Sequence, residues 1–496
     1  MRRPAPGVVA TSLTRRETVC GLGAFLGSAW LAGCAGGAHP KGAGGKQAPP
    51  PQKHPQPRPS GPMSGATLSI SGTRVGSIGR GFAGLSYEKK SLALPCFTAE
   101  NTQLMGLFRR LGESVLRIGG DTVDTTHWMD NGVGGTSGQI APPDIDALAG
   151  FLGGCSWSVL YGVNLATSTP AAAAAEVAYV ARRLGPRLYG IEIGNEPDLY
   201  SGRYFPSWSL TDFEHRWQQF RNAIVQKAPQ VGVTGPGGSW HIASWTLPFA
   251  GYARGQIALL TQHYYRGNGQ SPGATPVELV GPDTTLADEL AQLRTGAAQA
   301  GVPFRLSETN SYFGGGAPGV SDSHASALWV IDHLFGIALG GGAGANLHGG
   351  GDGPGYTPIA DHNGTVVGAR PVFYGMLLFT LAGGGTLLGS SLAAGQLNVS
   401  AYALQREDGL LAVVVVNKEA RQGVKLNMDC GQPVRSAAVL AMSAPSLEAT
   451  TGVRIQGAEI RNDGSFAPQR PYTLPTSGRE VSAYVAPLSA ALIIVA

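Results

Sequence analysis

Cysteine is scarce, with five residues in a chain of 496. Cys20 and Cys34 fall in an apolar leader, which leaves Cys96, Cys155 and Cys430, an odd number without metal-ligand spacing. A disulfide framework and a metal site are therefore not expected; buried, inert thiols are. Charge is scarce too, at 14% of residues, and it is unevenly placed. Eight of the 36 Lys/Arg but only one of the 32 Asp/Glu, Glu17, lie in residues 1–65, leaving 28 basic against 31 acidic side chains in the rest. The body of the chain is thus slightly acidic, which gives no indication of a polyanion-binding surface, and no nucleic-acid partner is expected.

What is present begins with an export-like leader. Arginines precede "GLGAFLGSAWLAGC", an apolar stretch too short to span a bilayer and ending in small residues. Leu31-Ala32-Gly33-Cys34 resembles a bacterial lipobox, with Cys34 as the lipidated residue, and Thr14-Arg15-Arg16 partly matches a twin-arginine signal. Residues 1–34 are expected to be a signal peptide with a lipobox. Residues 35–65, centred on "APPPQKHPQPRP", read as a disordered tether. Together they predict an exported protein held to a bacterial membrane by a lipid anchor alone.

Glycine is abundant, 74 residues in the whole chain, and beyond residue 65 short apolar runs alternate with helical stretches. Eight strand candidates stand at 81–87, 114–120, 156–165, 188–194, 230–237, 258–265, 303–309 and 344–349. Helices between them carry start and stop signals: Thr169, Pro170 and Gly185 bracket one, and Thr211 with Glu214 forms a capping box for another. The alternation predicts an α/β fold, a (β/α)8 TIM barrel over 78–378. From 379 to 496 the runs are strand-like without helical period, predicting an all-β sandwich domain, which the isolated run at 66–77 is expected to join.

Chemistry in such barrels collects at the carboxyl ends of the strands. Those ends read Glu88, Asp121, Asn164, Asn195-Glu196, Gly237-Gly238, Tyr264-Tyr265, Glu308 and His348. Glu196 closes the fourth strand and Glu308 the seventh, so the barrel mouth can set two carboxylates facing each other across a cleft. Glycoside hydrolysis needs that pair, one carboxylic acid to protonate the leaving oxygen and one carboxylate to attack the anomeric carbon. Tyr265 neighbours the seventh strand and is placed to hydrogen-bond Glu308. His348 reads as a structural histidine. The reaction calls for no metal and no organic cofactor.

"EIGNEPDLY", "QHYYRGNG" and "SETNSYFGGGAPGVSDSHASALWVIDHL", extended by "FAGLSYEKKSL", "FRRLGESVLRIGGDTVD" and "GYTPIADHNGTVVGARPVFYGMLLF", resemble glycoside hydrolase family 79. That family holds bacterial β-glucuronidases and the heparanases, and the likeness runs from about residue 66 to the C-terminus. The resemblance implies a retaining hydrolase with Glu196 as general acid/base and Glu308 as nucleophile. It also implies Asn195 on the sugar 2-hydroxyl, Tyr265 orienting the nucleophile, and Glu88, Asp121 and Tyr356 around the glycone. In the family a tyrosine five residues after the nucleophile and the amides of the next glycines hold the glucuronate carboxylate. Gly314 and Gly315 match those glycines, but Phe313 stands where the tyrosine would be, with Tyr312 beside it.

The leading expectation is an exo-acting β-glucuronidase working on a glycoside or oligosaccharide. The departure at Phe313 keeps a β-glucosidase, or another β-glycosidase of the same fold, as the alternative. A non-catalytic glycan-binding surface lipoprotein is a second alternative, although Glu196, Glu308 and Asn195 are all retained.

Overall fold

The structure is a computed structural model that describes residues 54–57, 59 and 61–496. The expected leader, its lipobox Cys34 and the tether as far as residue 53 lie outside the described residues.

Eight parallel strands close a barrel in sequence order: Ala83–Glu88, Val115–Gly119, Ser158–Val163, Leu188–Ile193, Val233–Gly238, Leu259–Asn268, Phe304–Phe313 and Ala345–Gly349. Each begins within a few residues of the run that announced it. These strands are buried on both faces, every residue of Val115–Gly119 for example, so they read as continuous apolar runs rather than as alternating ones. The sixth and seventh strands run to ten residues each. They pair as far as Asn268 and Phe313 and so extend past the shorter neighbouring strands as a two-stranded ribbon.

Local chemistry sets the surrounding helices. The Thr169 side chain accepts from the Ala172 amide and Pro170 opens the helix Pro170–Leu184, which stops at Gly185 with φ +53°. The helix Leu210–Lys227 corrects the expected cap. Ser209, not Thr211, closes the box, the Ser209 amide donating to Asp212 Oδ2 at 2.9 Å and the Asp212 amide to Ser209 Oγ at 3.3 Å. Both pairs fit the capping pattern; the earlier one takes the extended backbone a cap needs and leaves Thr211 exposed in the first turn.

Apart from two short pairs, Ile359–His362 with Thr365–Ala369 and His127–Trp128 with Gln139–Ile140, the remaining strands form one long, mostly antiparallel sheet that curls on itself. Its order is Ala437–Ser443, Ser489–Val495, Leu411–Asn417, Val399–Arg406, Gly385–Ala393, Met63–Ile78, Gly423–Asp429 and Glu480–Val485, with short strands at the edges. Leu68, Val413, Val415, Leu426, Met428, Val439, Val481 and Ile493 share its core. The N-terminal strand sits in the middle, antiparallel to Gly385–Ala393 and parallel to Gly423–Asp429, so both ends of the chain build this layer.

Three expected boundaries shift. The first strand starts at Met63 rather than 66. The helix Pro371–Ala382 carries past 378, and the β layer resumes at Gly385 after Gly383 takes φ +93°. The tether is not free over its last part. The His54 amide donates to Thr473 Oγ1, and the Gln56 side chain both donates to Tyr484 O at 3.0 Å and accepts from its amide at 2.9 Å. An edge strand's open backbone groups take up a passing segment. Cys96, Cys155 and Cys430 are free and buried, and burial pushes the Cys96 and Cys155 thiols up to about 12.

The helix that follows the loop after the seventh strand, His324–Leu339, packs on Pro371–Ala382 at a glycine. A Cβ at Gly375 would fall 2.1 Å from the Ala327 carbonyl oxygen. Gly375→Ala is expected to cost about 1–3 kcal/mol, because the helices must part and overpacking outweighs the gain in helix propensity. The shift of the urea midpoint measures it.

Candidate active site

Glu196 and Glu308 come together. One oxygen of each carboxylate and a ring nitrogen of His263 all lie within 4.8 Å of one another. Local backbone chemistry aims each. Between Leu306 and Glu308 the seventh strand slips register against the sixth, a bulge that re-aims the glutamate toward the barrel mouth. Glu196 sits just past the fourth strand in the left-handed region, φ +49° and ψ 55°. For a non-glycine residue that backbone costs on the order of 1–2 kcal/mol and persists only where the surroundings over-determine it. Here the Glu196 amide donates to Gly237 O at 2.9 Å. The preceding Asn195 amide is held by Asp124 Oδ2 at 3.1 Å.

The two carboxyls are driven in opposite directions. Burial would raise the pKa of Glu308, but His348, His263 and the Arg117 guanidinium, with the Tyr265 hydrogen bond, outweigh it and hold the carboxyl well below its usual range. Arg117 Nη1 donates to Glu308 Oε2 at 2.6 Å and the Tyr265 hydroxyl to Oε1 at 2.7 Å. Glu196 is raised. Burial is the largest cause, opposed by the hydrogen bond and charge of His263, 2.9 Å away, and reinforced by the negative charges of Glu308 and Asp198. One carboxyl is thus kept ionised and the other biased toward its acid form.

Arg117, on the second strand, is the hub. It donates to Glu192 Oε2 at 2.7 Å, to Glu308 and to Asn195 Oδ1 at 2.9 Å, and is wholly buried. Arg117→Met would strand the buried carboxylates of Glu192 and Glu308, at an expected cost of about 3–5 kcal/mol at pH 7. The low pKa of wild-type Glu308 gives stability above the unfolded-state value that is lost as pH falls through the folded one. In the variant that carboxyl is held down less, by His348, His263 and Tyr265 alone, so the deficit shrinks as pH drops and it takes up a proton. Urea denaturation at several pH values reads both effects.

Glu88 and Asp121 stand at the ends of the first and second strands, and Tyr356 follows the eighth. Glu88 ends the first strand and accepts from the amides of Asp121 and Thr122 at 3.2 and 2.8 Å and from the Thr122 hydroxyl at 2.5 Å. Burial would raise its pKa, but His348 and Thr122 lower it below the usual value. Asp121 accepts from Asn195 Nδ2 at 3.5 Å and from Arg203 at 3.3 Å. The Tyr356 ring lies 6.0 Å from that of Tyr265.

His348 corrects its expected structural role. Its Nδ1 is 3.0 Å from Ser86 Oγ and 3.6 Å from Glu308, and its Nε2 is 3.5 Å from Glu88. Burial alone would lower its pKa; the charges of Glu308 and Glu88 raise it above the usual value.

The loop after Glu308 places its residues differently from one another. Gly314, Gly315 and Gly316 take φ of 77°, 88° and 92° in succession, a path only glycine follows without strain. Gly315 O accepts from the Tyr356 amide, which ties the loop to that tyrosine. Phe313 is half-exposed against Trp240. Tyr312 is buried and its hydroxyl donates to Glu278, so it does not stand in for a hydroxyl at 313. Neighbouring residues in a strand face opposite ways.

Sequence reasoning missed Arg117, Glu192, His263, Asp124 and Tyr200. The signal was there for the first three, single charged or imidazole side chains inside the apolar strands "VLRIG", "LYGIEI" and "LLTQHYY". A cationic or anionic group in a barrel strand points inward only with a partner. Asp124 is the buried anchor of the Asn195-Glu196 turn, accepting from the amides of Leu165, Ala166 and Asn195 and from the Tyr200 hydroxyl. Glu196, His263 and Glu308 are the one cluster with metal-ligand geometry among the described residues. The Arg117 guanidinium on Glu308 already supplies positive charge there and disfavours a divalent cation.

No family model matches the chain. A β-glucuronidase of Aspergillus niger is 27% identical over 263 residues, covering 47% of this chain and 48% of the relative. A β-glucuronidase of Neurospora crassa is 28% identical over 224 residues, 38% of this chain and 39% of the relative. The chain thus spans about half, or less, of the length of the curated relatives it matches. Among solved structures, a 4-O-α-L-rhamnosyl-β-D-glucuronidase from Fusarium oxysporum superposes with a TM-score of 0.73 at 17% identity, over 86% of this chain and 99% of that one. A GH51 arabinofuranosidase from Xanthomonas axonopodis pv. citri gives 0.66 at 15% identity, over 87% and 99%. At such identities the likeness establishes the architecture: a TIM barrel carrying an all-β domain.

Proposed function

We propose that the chain is a retaining β-glycoside hydrolase related to glycoside hydrolase family 79, and that its activity is that of an exo-acting β-glucuronidase. The observation that carries the reading is the pair Glu196 and Glu308, with oxygens inside 4.8 Å and acidities pushed apart. Retaining glycosidases hold their two carboxyls about 5–5.5 Å apart, whereas inverting ones leave room for a water at about 6.5–9.5 Å. Two β-glucuronidases among the relatives support the glycone.

In the first step a Glu308 oxygen attacks the anomeric carbon; the glycosidic C–O bond breaks as its oxygen takes the proton of Glu196. In the second step Glu196, now a carboxylate, removes a proton from water; the water oxygen attacks the same carbon and the bond to Glu308 breaks. Two inversions give net retention. Arg117 and Tyr265 keep Glu308 ionised and oriented, Asn195 faces the sugar 2-hydroxyl, and Glu88, Asp121, His348 and Tyr356 line the glycone side. Lipid attachment at Cys34 would hold the enzyme at a membrane surface.

A second reading, a β-glucosidase, draws on Phe313. A uronate carboxylate would find no hydroxyl there, since Tyr312 is committed to Glu278. The test offers the chain lacking residues 1–34 an aryl β-glucuronide and the matching β-glucoside, and follows the first-formed sugar by proton NMR. Turnover of the glucuronide with the β-anomer released first is the expected result. Preference for the glucoside moves the substrate and keeps the mechanism. Release of the α-anomer overturns the retaining mechanism, and turnover of neither favours a glycan-binding protein.

A further inference from the structure

Away from the catalytic pair, the chain holds a cavity of about 340 Å³ where the outer helices of the barrel meet the β layer. None of Glu196, His263 and Glu308 borders it. Its walls come from the helices Thr284–Ala300 and His324–Leu339, the segment 279–283, the start of the strand Val399–Arg406, and Lys418. The volume falls within the range of small-molecule sites, about 300–1,000 Å³.

The walls are of two kinds. Leu279, Val280, Leu286, Leu290 and Trp329 are apolar and buried. The rest is polar and centres on Asp332, which accepts from Ser400 Oγ at 2.5 Å, from the Tyr402 hydroxyl at 2.9 Å and from Lys418 Nζ at 2.5 Å. Lys418 gives a second proton to Ser400 Oγ at 3.2 Å, and an ammonium has a third to give. The bordering charges cancel, Lys418 against Asp332 and Arg266 against Asp283, 3.7 Å away. His333 borders the cavity too, 2% exposed and stacked on Trp329 with ring centroids 4.6 Å apart. Burial, with the charge of Arg266, pushes its pKa down to about 3, so the ring is neutral. Its Nε2 lies 2.9 Å from Thr309 Oγ1, while its Nδ1 has no partner among the described residues. A ring nitrogen buried so deeply costs free energy until a hydrogen-bonding group meets it.

We infer that this cavity is a second ligand site, separate from the catalytic cleft, and that it takes a neutral polyhydroxy ring, a mono- or disaccharide, with its C–H face on the apolar wall and its hydroxyls on Ser400, Lys418 and His333. A charged ligand would have to compete with ion pairs that already balance, and a hydrocarbon would leave Lys418 and His333 unmet. The site goes beyond the glycosidase reading and does not depend on it. A sugar held there bridges the helices of the barrel and the β layer, and it is bound without being cleaved, since no carboxylate pair like that of the cleft borders it.

Equilibrium dialysis of the full chain against labelled methyl α-D-glucopyranoside, an anomer that a β-glycosidase leaves intact, tests this. Sodium glucuronate and cyclohexanol serve as the charged and the apolar comparison. Wild type is expected to bind the methyl glucoside saturably and more tightly than either comparison. Ala287 borders the cavity from an exposed position, so Ala287→Trp puts an indole into the space and is expected to weaken binding by on the order of 10-fold or more. Ser400→Ala, a milder change, is expected to weaken it by on the order of 3- to 10-fold, the scale of one hydrogen bond. Hydrolysis of an aryl β-glycoside, measured beside the dialysis, is expected to persist in both variants and shows that they fold. Undiminished binding in the two variants places the sugar elsewhere and overturns the site, as does the absence of binding in wild type. Tighter binding of glucuronate or cyclohexanol overturns the ligand class. Each of these results leaves the glycosidase standing; absence of hydrolysis in wild type removes the glycosidase and leaves the dialysis to decide the cavity.

Discussion

Glu308→Gln is expected to lower kcat on an aryl β-glycoside by on the order of 10^4-fold or more, the scale seen when a covalent nucleophile is removed. The fold should survive the change. The amide fills the same volume, its oxygen can accept from Arg117, and its NH2 can donate to the Tyr265 oxygen, which sits 2.7 Å from the wild-type carboxylate. What disappears is the negative charge and the nucleophilic oxygen. The companion Glu308→Gly leaves space for a small external anion, and added azide should restore turnover with formation of the α-glycosyl azide, since a single displacement inverts the anomeric centre. Wild-type rates in either variant, or an azide product of retained configuration, would remove Glu308 from the mechanism.

The second large effect belongs to Glu196, and its signature lies in the pH profile. The acid must carry a proton when the leaving group departs, so activity declines as pH rises through its pKa. Burial and the neighbouring charges of Glu308 and Asp198, opposed by His263, raise that value above the ordinary glutamate one. Glu308 must be ionised, and its pKa lies far below that ordinary value. The acid limb therefore falls at much lower pH than the alkaline limb, and the window between them is wide. In Glu196→Gln the alkaline limb should vanish. Turnover should drop about 10^2- to 10^4-fold, the worth of general acid–base catalysis, for substrates whose leaving group needs protonation. The loss should be much smaller for a dinitrophenyl leaving group, which departs without help. A variant whose alkaline limb persists, or whose loss is the same for both leaving groups, would assign the acid elsewhere.

Both predictions depend on residues that the linear sequence shows unequally. The eight strands were legible because a barrel strand buried on both faces has to be a short apolar run between turn residues. The two glutamates were legible because each breaks such a run at its carboxyl end. Tyr265 was legible by the same logic, one strand over. Arg117 was not, although it contacts Glu308, Glu192 and Asn195. Its ionic partners lie 75 and 191 positions away, and an arginine inside an apolar strand has no local cue to its counter-charge. His348 looks like any core histidine until barrel closure sets the eighth strand beside the first and brings Glu88 within 3.5 Å. Which of Tyr312 and Phe313 faces the cleft is decided by strand alternation beyond a bulge, where a slip of one residue exchanges the two faces.

The sequence alone therefore determined the repeating strand and helix pattern, the change to an all-β layer and the chemical types available at the strand ends, because periodicity and turn chemistry are local. The tertiary structure alone decided the distance between the two carboxylates and the opposite directions of their acidities. Those properties arise from desolvation and from charges carried by distant strands. Only closure of the barrel brings such groups within reach of one another.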